Sequence, residues 1–491
     1  MKAKILTPQW PNDVNPRSSS TLETNARTLR YRALGIACRD LGIPSLVLAH
    51  HADDQAETIV LRLLQQRFRY GLKGIESIVD IPECHGIHGV HKSGTLPPRD
   101  HIKPGLNIEL ESGGVQLLRP LLGFGKDRLI STAKAHNVAW VEDATNLDRT
   151  LTARNAIRHI MAYHKLPAAL SKERLVTVAN RMQDRIETHA QAAKSLFDTL
   201  DLKLDTQTGS VIVRLPPKSA LLDRQIITKE DEDFAHNTGT LLLHHLIRLV
   251  SPFDQKASIS NVTHATNLLY PRGSEPSSPG PKSNSFSVQG VWFRRWTGPS
   301  PFSQSSNNND PGDINESCEH FYPREFLLTR IPFSPAGENA SPTIEFPPHN
   351  HNRGNDIFHF WDSRFWIRIS NPTSKPLILR SFKPSELEQL SLLINNARKA
   401  SKGEHVPTSE LPTDIDVFFR ELVSRLKPVD LRFTIPAVFE KNETGKQDKL
   451  LGFPSLMIGP RLREGVCWEV RYKKADIGEK EMVRMRPRIS R

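Results

Sequence analysis

Cysteine is scarce. The chain holds four among its 491 residues, Cys38, Cys84, Cys318 and Cys467, and no two stand in a CxxC pair. A disulfide scaffold is thereby excluded, and free thiols in a reducing compartment are expected. Long apolar runs are missing too. None approaches the roughly 18–20 residues that a membrane helix needs. The first ten residues carry Lys2 and Lys4 but no apolar core of a secretory leader. Without secretion, the N-x-S/T triplets at Asn261, Asn315, Asn339 and Asn442 carry no meaning. Hydrophobic residues make up only 37% and mean hydropathy is −0.43, whereas proline is abundant at 36 residues. Part of the chain is therefore expected to be disordered. No short repeat or heptad runs through it, which excludes a fibrous protein.

What the chain has in surplus is positive charge. Lys and Arg number 66 against 54 Asp and Glu, a net +12. That suits a polyanionic partner such as nucleic acid, and equally a merely soluble basic protein.

The pattern divides the chain into zones. Residues 1–170 alternate short apolar runs with helical periods, the mark of an α/β unit. Leu46–Ala49, Gln116–Leu118 and Val138–Val141 read as strands. Thr24–Leu41 and His51–Gln66 read as helices, the first ended by Gly42 and Pro44. Pro82–Pro104, rich in Gly, Pro and His, reads as a loop insertion. Residues 171–269 read as mainly helical, with helices over Ser171–Leu200 and Leu241–Leu249. Residues 270–320 are dominated by Ser, Pro, Asn and Gly and read as a disordered linker, with one strand over Val288–Trp296. Residues 321–491 read as a small α+β module. Its strands are expected at Phe358–Ile369, Leu431–Ile435 and Trp468–Tyr472, and a helix at Ser385–Lys402.

The densest chemistry is Ala49-His50-His51-Ala52-Asp53-Asp54-Gln55-Ala56-Glu57-Thr58, placed where a buried strand hands over to a helix. Ligands of open α/β sheets bind at that edge. Capping explains part of the cluster, since Asp54 with Glu57 fits a capping box. It does not call for two histidines and Asp53 as well. Acids at a helix start oppose phosphate unless a cation intervenes, so Mg2+ or an ammonium group is the natural occupant, with a histidine as acid, base or orienter. Arg154 and Arg158 are four apart and share a helical face, as do Arg27 and Arg30. Each pair reads as phosphate-binding or as a solvated basic face. Arg119 lies at a strand end. Glu142 and Asp143 follow another strand and read as site acids or helix caps.

Six segments occur in order: Glu23-Thr-Asn-Ala-Arg27-x-x-Arg30-Tyr31, the run from Ala49 to Thr58, Gly71-Leu-Lys-Gly74-Ile75, Arg119-Pro120-Leu121-Leu122, Glu142-Asp143-x-x-Asn146 and Arg154-Asn155-x-x-Arg158. This series resembles the catalytic domain of tRNA(Ile)-lysidine synthases, members of the PP-loop (N-type ATP pyrophosphatase) superfamily. It covers about residues 5–170. Later zones resemble fungal members more loosely, as in Trp361-Asp362-x-Arg364-Phe365-Trp366-Ile367.

The resemblance implies a Rossmann-like, adenine nucleotide alpha hydrolase-like parallel sheet, followed by the helical region and the α+β module. It implies a ligase that uses ATP and Mg2+ to adenylate the wobble cytidine of tRNA(Ile) with a CAU anticodon. L-lysine then displaces AMP to give lysidine. Catalytic roles fall to His50, His51, Asp53, Asp54 and Glu57. Phosphate or tRNA contacts fall to Arg27, Arg30, Arg119, Arg154 and Arg158. Lysine or Mg2+ falls to Asp53, Asp54, Glu142 and Asp143. Fungal members point to mitochondria, and no membrane contact is expected. The family's Ser-Gly-Gly-x-Asp-Ser phosphate loop is absent upstream of the histidines, so the sheet is expected to be N-terminally incomplete. Ser112-Gly113-Gly114 lacks the Asp and leads into a strand, and reads as a turn. Two other readings remain: a tRNA-binding protein without catalysis, and a PP-loop tRNA thiolase, which the missing CxxC pairs disfavour.

The remaining clusters read as structure. Cys84-His85-x-x-His88-x-x-His91 matches no common zinc spacing. His244 and His245 sit among leucines. Phe358, Phe360, Trp361, Phe365 and Trp366 read as core in preference to a base-stacking platform.

Overall fold

The computed structural model describes residues 5–10, 22–91, 108–141, 153–253, 259–273, 285–297, 300–302, 324–337, 339–348, 357–402, 429–442, 447–457 and 466–477. Two compact units divide the chain: Met1–Pro98 with Ser112–Gln191, and Arg99–Glu111 with Ala192–Arg491.

The first unit opens with helix α1 (Leu22–Asp40). It ends in a Schellman turn: Ile43 N–H bonds Cys38 O at 2.7 Å and Gly42 N–H bonds Arg39 O at 3.0 Å, with Gly42 at φ +65°. Strand β1 (Ser45–Val47), helix α2 (Ala52–Leu64), β2 (Ile78–Asp80) and β4 (Gln116–Leu118) follow, with β3 (Glu109–Leu110) belonging to the second unit. The sheet order is β1-β4-β2. β1 runs parallel to β4, and β2 runs antiparallel on the other side. Helices α3 (Lys126–Ala135), α4 (Ala153–Tyr163) and the long α5 (Lys172–Thr199) complete this part of the chain. Tyr31, Cys38, Ile81, Cys84, Val90, Val115 and Leu117 form one small core, and Ala56, Ile59, Leu175 and Ala179 another between α2 and α5.

The parallel pair with its helices is the expected α/β arrangement. One local expectation changes. Val138–Val141 is no strand: the residues trail from α3 with Val138, Trp140 and Val141 all exposed, so apolar alternation there buries nothing. Residues 5–10 carry no regular structure. The loop expected over 82–104 is a series of turns through residue 91, and its remainder lies outside the described residues. Ser112–Gly114 carries no regular structure and leads into β4, with Gly113 and Gly114 at φ +85° and +131°.

The second unit is built on antiparallel pairing. A five-stranded sheet has the order β5-β6-β9-β8-β7, from β5 (Leu202–Asp205), β6 (Ser210–Arg214), β7 (Ser285–Val288), β8 (Val291–Arg295) and β9 (Glu325–Arg330). Helices α6 (Lys229–Val250) and α7 (Ile259–Leu269) belong to the same unit. The zone expected as helical thus contributes the β5–β6 hairpin, driven by Val211-Ile212-Val213. The zone expected as linker contributes the β7–β8 hairpin. Gln289 and Gly290, both at positive φ, turn that hairpin, and Phe286 stacks on Phe293 at 4.8 Å.

A second sheet runs β10-β13-β14-β15, from β10 (Ile344–Phe346), β13 (Leu377–Ser381), β14 (Pro436–Glu440) and β15 (Lys449–Gly452). A third runs β11-β12-β16-β3, from β11 (His359–Trp361), β12 (Phe365–Ser370) and β16 (Cys467–Tyr472). Asp362 and Ser363, at φ +50° and +48°, break the single expected strand at 358–369 into a hairpin. The strand expected at Leu431–Ile435 is instead a 3-10 turn over Val429–Phe433. Leu431 and Ile435 lie one helical turn apart and are both buried beside Phe382 and Phe439. Helix α8 (Leu387–Ser401) forms as expected. Trp361, Phe365 and Trp366 are fully buried, so they are core. His245 packs on Phe197, and burial pushes its pKa down to about 4. No helix among the described residues is long and apolar enough to cross a membrane.

Candidate active site

The site is assembled at the carboxyl ends of the two parallel strands. Leu48 N–H bonds Leu118 O at 2.9 Å, which extends the β1–β4 ladder by one step before the chain turns. His50 and His51 then lead into α2, and Arg119 leaves β4 at the same edge. His51, in extended conformation, caps the helix. Asp54 Oδ2 accepts the His51 N–H at 3.0 Å. The cap therefore pairs His51 with Asp54, not Asp54 with Glu57. Ala52 N–H bonds Phe124 O, tying the helix start to the turn before α3. His51 Nδ1 stands 3.5 Å from both Asp53 Oδ2 and Asp54 Oδ2.

His50 lies half-buried, and its Nδ1 bonds to no group among the described residues. Burial lowers its pKa. Arg119, Arg154 and Arg27 push the same way, and together they outweigh Asp54. The ring is thus neutral at neutral pH, with a lone pair to accept a proton. Arg119 is only 7% exposed. One of its end nitrogens donates to Glu76 O at 2.8 Å, while its Nε is buried with no partner among the described residues.

Asp53 and Glu57 have separate attachments. Asp53 Oδ2 accepts the Lys126 N–H at the start of α3 (2.8 Å), and Oδ1 lies 3.3 Å from Lys172 Nζ at the start of α5. Lys172 also reaches Asp127 at 3.5 Å. Burial works against its charge, but Asp53 and Asp127 more than offset that and hold the ammonium above the usual lysine range. Glu57 is 4% exposed and lies between two arginines of α4. Arg154 Nε bonds it at 2.9 Å, and Arg158 grips both oxygens at 2.7 and 3.0 Å. Arg154 also approaches Asp54 Oδ1 at 3.4 Å. The shared face of Arg154 and Arg158 thus points at Glu57, with about a third of each arginine left open to solvent.

The Gly71-Leu-Lys-Gly74-Ile75 segment is held from below. Gln55, itself buried, accepts from Ile75 N–H and donates to Ile75 O. Arg62 donates to Gly71 O and Gly74 O, and Gln183 donates to Lys73 O and Ile75 O. Gly74 has φ +66°, and a Cβ there would run into Gln55 Oε1, so only glycine fits.

The structure therefore brings together His50, His51, Asp53, Asp54, Glu57, Arg119, Arg154 and Arg158. Arg27 sits at the rim, bonded to Glu83 at 3.3 Å and stacked 4.8 Å over Tyr31, close enough to act on His50. Arg30 is exposed and lies 5.6 Å over the same ring. Glu142 and Asp143 lie outside the described residues. Sequence reading missed Lys172, Lys126, Gln55, Arg62 and Gln183. Gln55 and Arg62 lay inside motifs already noted, whereas Lys172 and Gln183 carried no local signal.

The donor set fits one kind of metal binding. No group of three or more His, Cys, Asp or Glu that could hold a metal ion occurs among the described residues. Asp53 Oδ1 and Asp54 Oδ1 have their polar neighbours at 3.3 and 3.4 Å, so both are loosely held. That suits Mg2+ bound by one or two carboxylates and completed by substrate phosphates.

Comparison with known proteins identifies the family. The PP-loop domain family matches residues 1–165. A probable tRNA(Ile)-lysidine synthase of Schizosaccharomyces pombe is 30% identical over 453 residues, 92% of this chain and 76% of the relative. The tRNA(Ile)-lysidine synthase of Lactobacillus johnsonii is 29% identical over 41% of this chain and 38% of its own length. That of Methylobacterium nodulans is 31% identical over 38% and 45%. The bacterial likenesses thus span less than half of those proteins, whereas the fungal one runs through both units. A Rossmann-like PP-loop fold carrying the site, and a relative matched over nearly the whole chain, place this protein in the tRNA(Ile)-lysidine synthase family of ligases.

Proposed function

We propose that the chain carries out lysidine synthesis on tRNA(Ile) bearing a CAU anticodon. In the first step the C2 oxygen of the wobble cytidine attacks the α-phosphorus of ATP, and pyrophosphate leaves. In the second the ε-amine of L-lysine attacks C2, and AMP leaves with the C2 oxygen. The observation that carries this reading is the half-buried His50, its pKa lowered by burial, set near Asp54 at the ends of β1 and β4, with Arg119 at the same edge.

The residues divide the work by chemistry. Arg119, with its Nε directed to no other group among the described residues, suits a phosphate oxygen of the leaving pyrophosphate. Arg154 and Arg158 stay about a third open to solvent, where ATP or tRNA can meet them, while Glu57 fixes their orientation. Asp53 and Asp54 would hold Mg2+ or the lysine ammonium; Mg2+, when bound, neutralises triphosphate charge. An ammonium must lose a proton before it attacks, and His50 is the neutral acceptor at hand. A rate dependent on neutral His50 falls as pH drops through its lowered pKa.

The test is transfer of labelled lysine to a tRNA(Ile) transcript with ATP, with the modified nucleoside identified by mass spectrometry. Lysidine formation supports the reading; none, on a transcript that a bacterial relative modifies, overturns it. The net charge of +12 also suits a second reading, tRNA binding without catalysis. RNA binding with no ATP affinity would select that one.

A further inference from the structure

Helix α2 ends in a way that its sequence does not favour. Arg67 N–H bonds Arg62 O at 2.8 Å and Gln66 N–H bonds Leu63 O at 3.0 Å, a Schellman turn with Gln66 at φ +57° where glycine is usual. The turn throws the next residues outward. Phe68 is 59% exposed, Tyr70 50% and Leu64 69%, and Arg67 is exposed between them. On the far side the chain is pinned again, by Arg62 on Gly71 O and Gly74 O and by Gln183 on Lys73 O. Lys73 Nζ lies 4.4 Å over the Tyr70 ring and 3.0 Å from its hydroxyl, which orients that ring. A short projection carrying two open aromatic rings is thus held rigidly at both ends.

Its charge selects the partner. From Thr58 to Ile75 the chain carries Arg62, Arg67, Arg69 and Lys73 and not one acid, and the next residue, Glu76, pairs with Lys73 at 2.7 Å. Within 66–70 itself, aromatic rings alternate with Arg67 and Arg69 and no acid intervenes, which fits a flexible polyanion whose bases can stack. A protein surface would normally be met by mixed charge. Tight aromatic exposure also costs solubility, so a partner that covers it is to be expected.

We propose that the projection Gln66–Tyr70 is an RNA-stacking loop, in which Phe68 and Tyr70 take unpaired bases and Arg67 meets the neighbouring phosphate. This rests on the reading above that the substrate is a tRNA, and it assigns that RNA a contact distinct from the catalytic residues.

The test uses the full chain, a short unstructured RNA and the tRNA(Ile) transcript, with affinity read by fluorescence anisotropy at several salt concentrations. Phe68→Ala and Tyr70→Ala should each weaken both RNAs about fivefold or more, with melting temperature unchanged. Phe68→Tyr should restore binding. Arg67→Gln should flatten the slope of log K against log salt by about 0.7. Affinity within about twofold of wild type in the double variant overturns the proposal. So does a change of sedimentation without loss of RNA affinity, which would mark a self-association surface. A chain that binds RNA through this loop yet makes no lysidine retains the loop and refutes the lysidine reading. A chain that makes lysidine with unchanged tRNA KM in the double variant does the reverse. A wild-type chain that binds neither RNA overturns both.

Discussion

Both units set a buried carboxylate between two arginines, and the two settings differ in their access to water. In the second unit Asp362 is held by Arg330 at 3.2 Å and Arg364 at 2.7 Å, the two arginines 1% and 0% exposed. Their remaining donors go to carbonyls of Ile331, Thr208 and Thr434. In the first unit Glu57 is equally buried, but Arg154 and Arg158 stay about a third open. The same charge pattern is sealed where both arginines are buried and reaches water where they stay a third open.

The contrast can be broken at its sealed end. Arg364→Ala leaves Asp362 with one cation and strips two carbonyls of a partner. A loss of about 3–5 kcal/mol is expected, read as a fall in urea midpoint. A loss under about 1 kcal/mol would mean the cluster is not sealed in solution. At the open end, Asp53→Asn should lower lysine transfer by about 10²–10³-fold. Melting temperature should shift by only a few degrees, because the Asp53–Lys172 pair is a third exposed. A large melting shift with unchanged turnover would make Asp53 a helix-start acid and nothing more.

The histidines sharpen the same contrast. His245 titrates at about 4 when folded, chiefly through burial with Arg248 adding, against about 6.5 when unfolded. Between those values the unfolded chain binds more protons, so stability is full above about pH 6.5 and falls as pH drops towards 4. The linked loss is at most about 3 kcal/mol. His245→Leu should flatten the curve in that window. The smallest expected effect is on stability in Arg154→Ala. Arg158 keeps its two bonds to Glu57, so the cost should be about 1 kcal/mol or less, while ATP or tRNA use suffers.

How much of this was legible follows from range. The strand-to-helix junction at 46–58 was legible because periodicity, capping acids and the histidine pair all lie within one short window. The pairing of Glu57 with Arg154 and Arg158 was not, since about a hundred residues intervene and no local pattern records a partner that distant. Arginines on one helical face read equally well as phosphate ligands or as a salt-bridge lining, and burial of Glu57 decides how they are anchored. Val138–Val141 and Leu431–Ile435 misled for a common reason. Both carry apolar and β-branched residues, but the first has nothing to cover it, and the second buries Leu431 and Ile435 from a 3-10 turn and the bend after it. Strand β8 was legible within the strand expected at Val288–Trp296, whereas β7 was hidden by the Ser, Pro and Asn around it.

The short strand β3 has a consequence for how this chain reaches its native state. Glu109 and Leu110 lie between segments of the first unit, yet they pair in parallel with Arg471 and Tyr472 near the far end of the sequence. The next residue, Glu111, accepts a bond from Trp366 Nε1 at 2.7 Å. During synthesis this strand emerges long before its neighbour exists. The second unit therefore closes late, through contacts of high sequence separation, and folding should be slow and strongly dependent on an intact C-terminal strand. A C-terminal truncation before Cys467 would leave an early-made strand permanently without its pair, so damage at the end of the gene is felt within its first third.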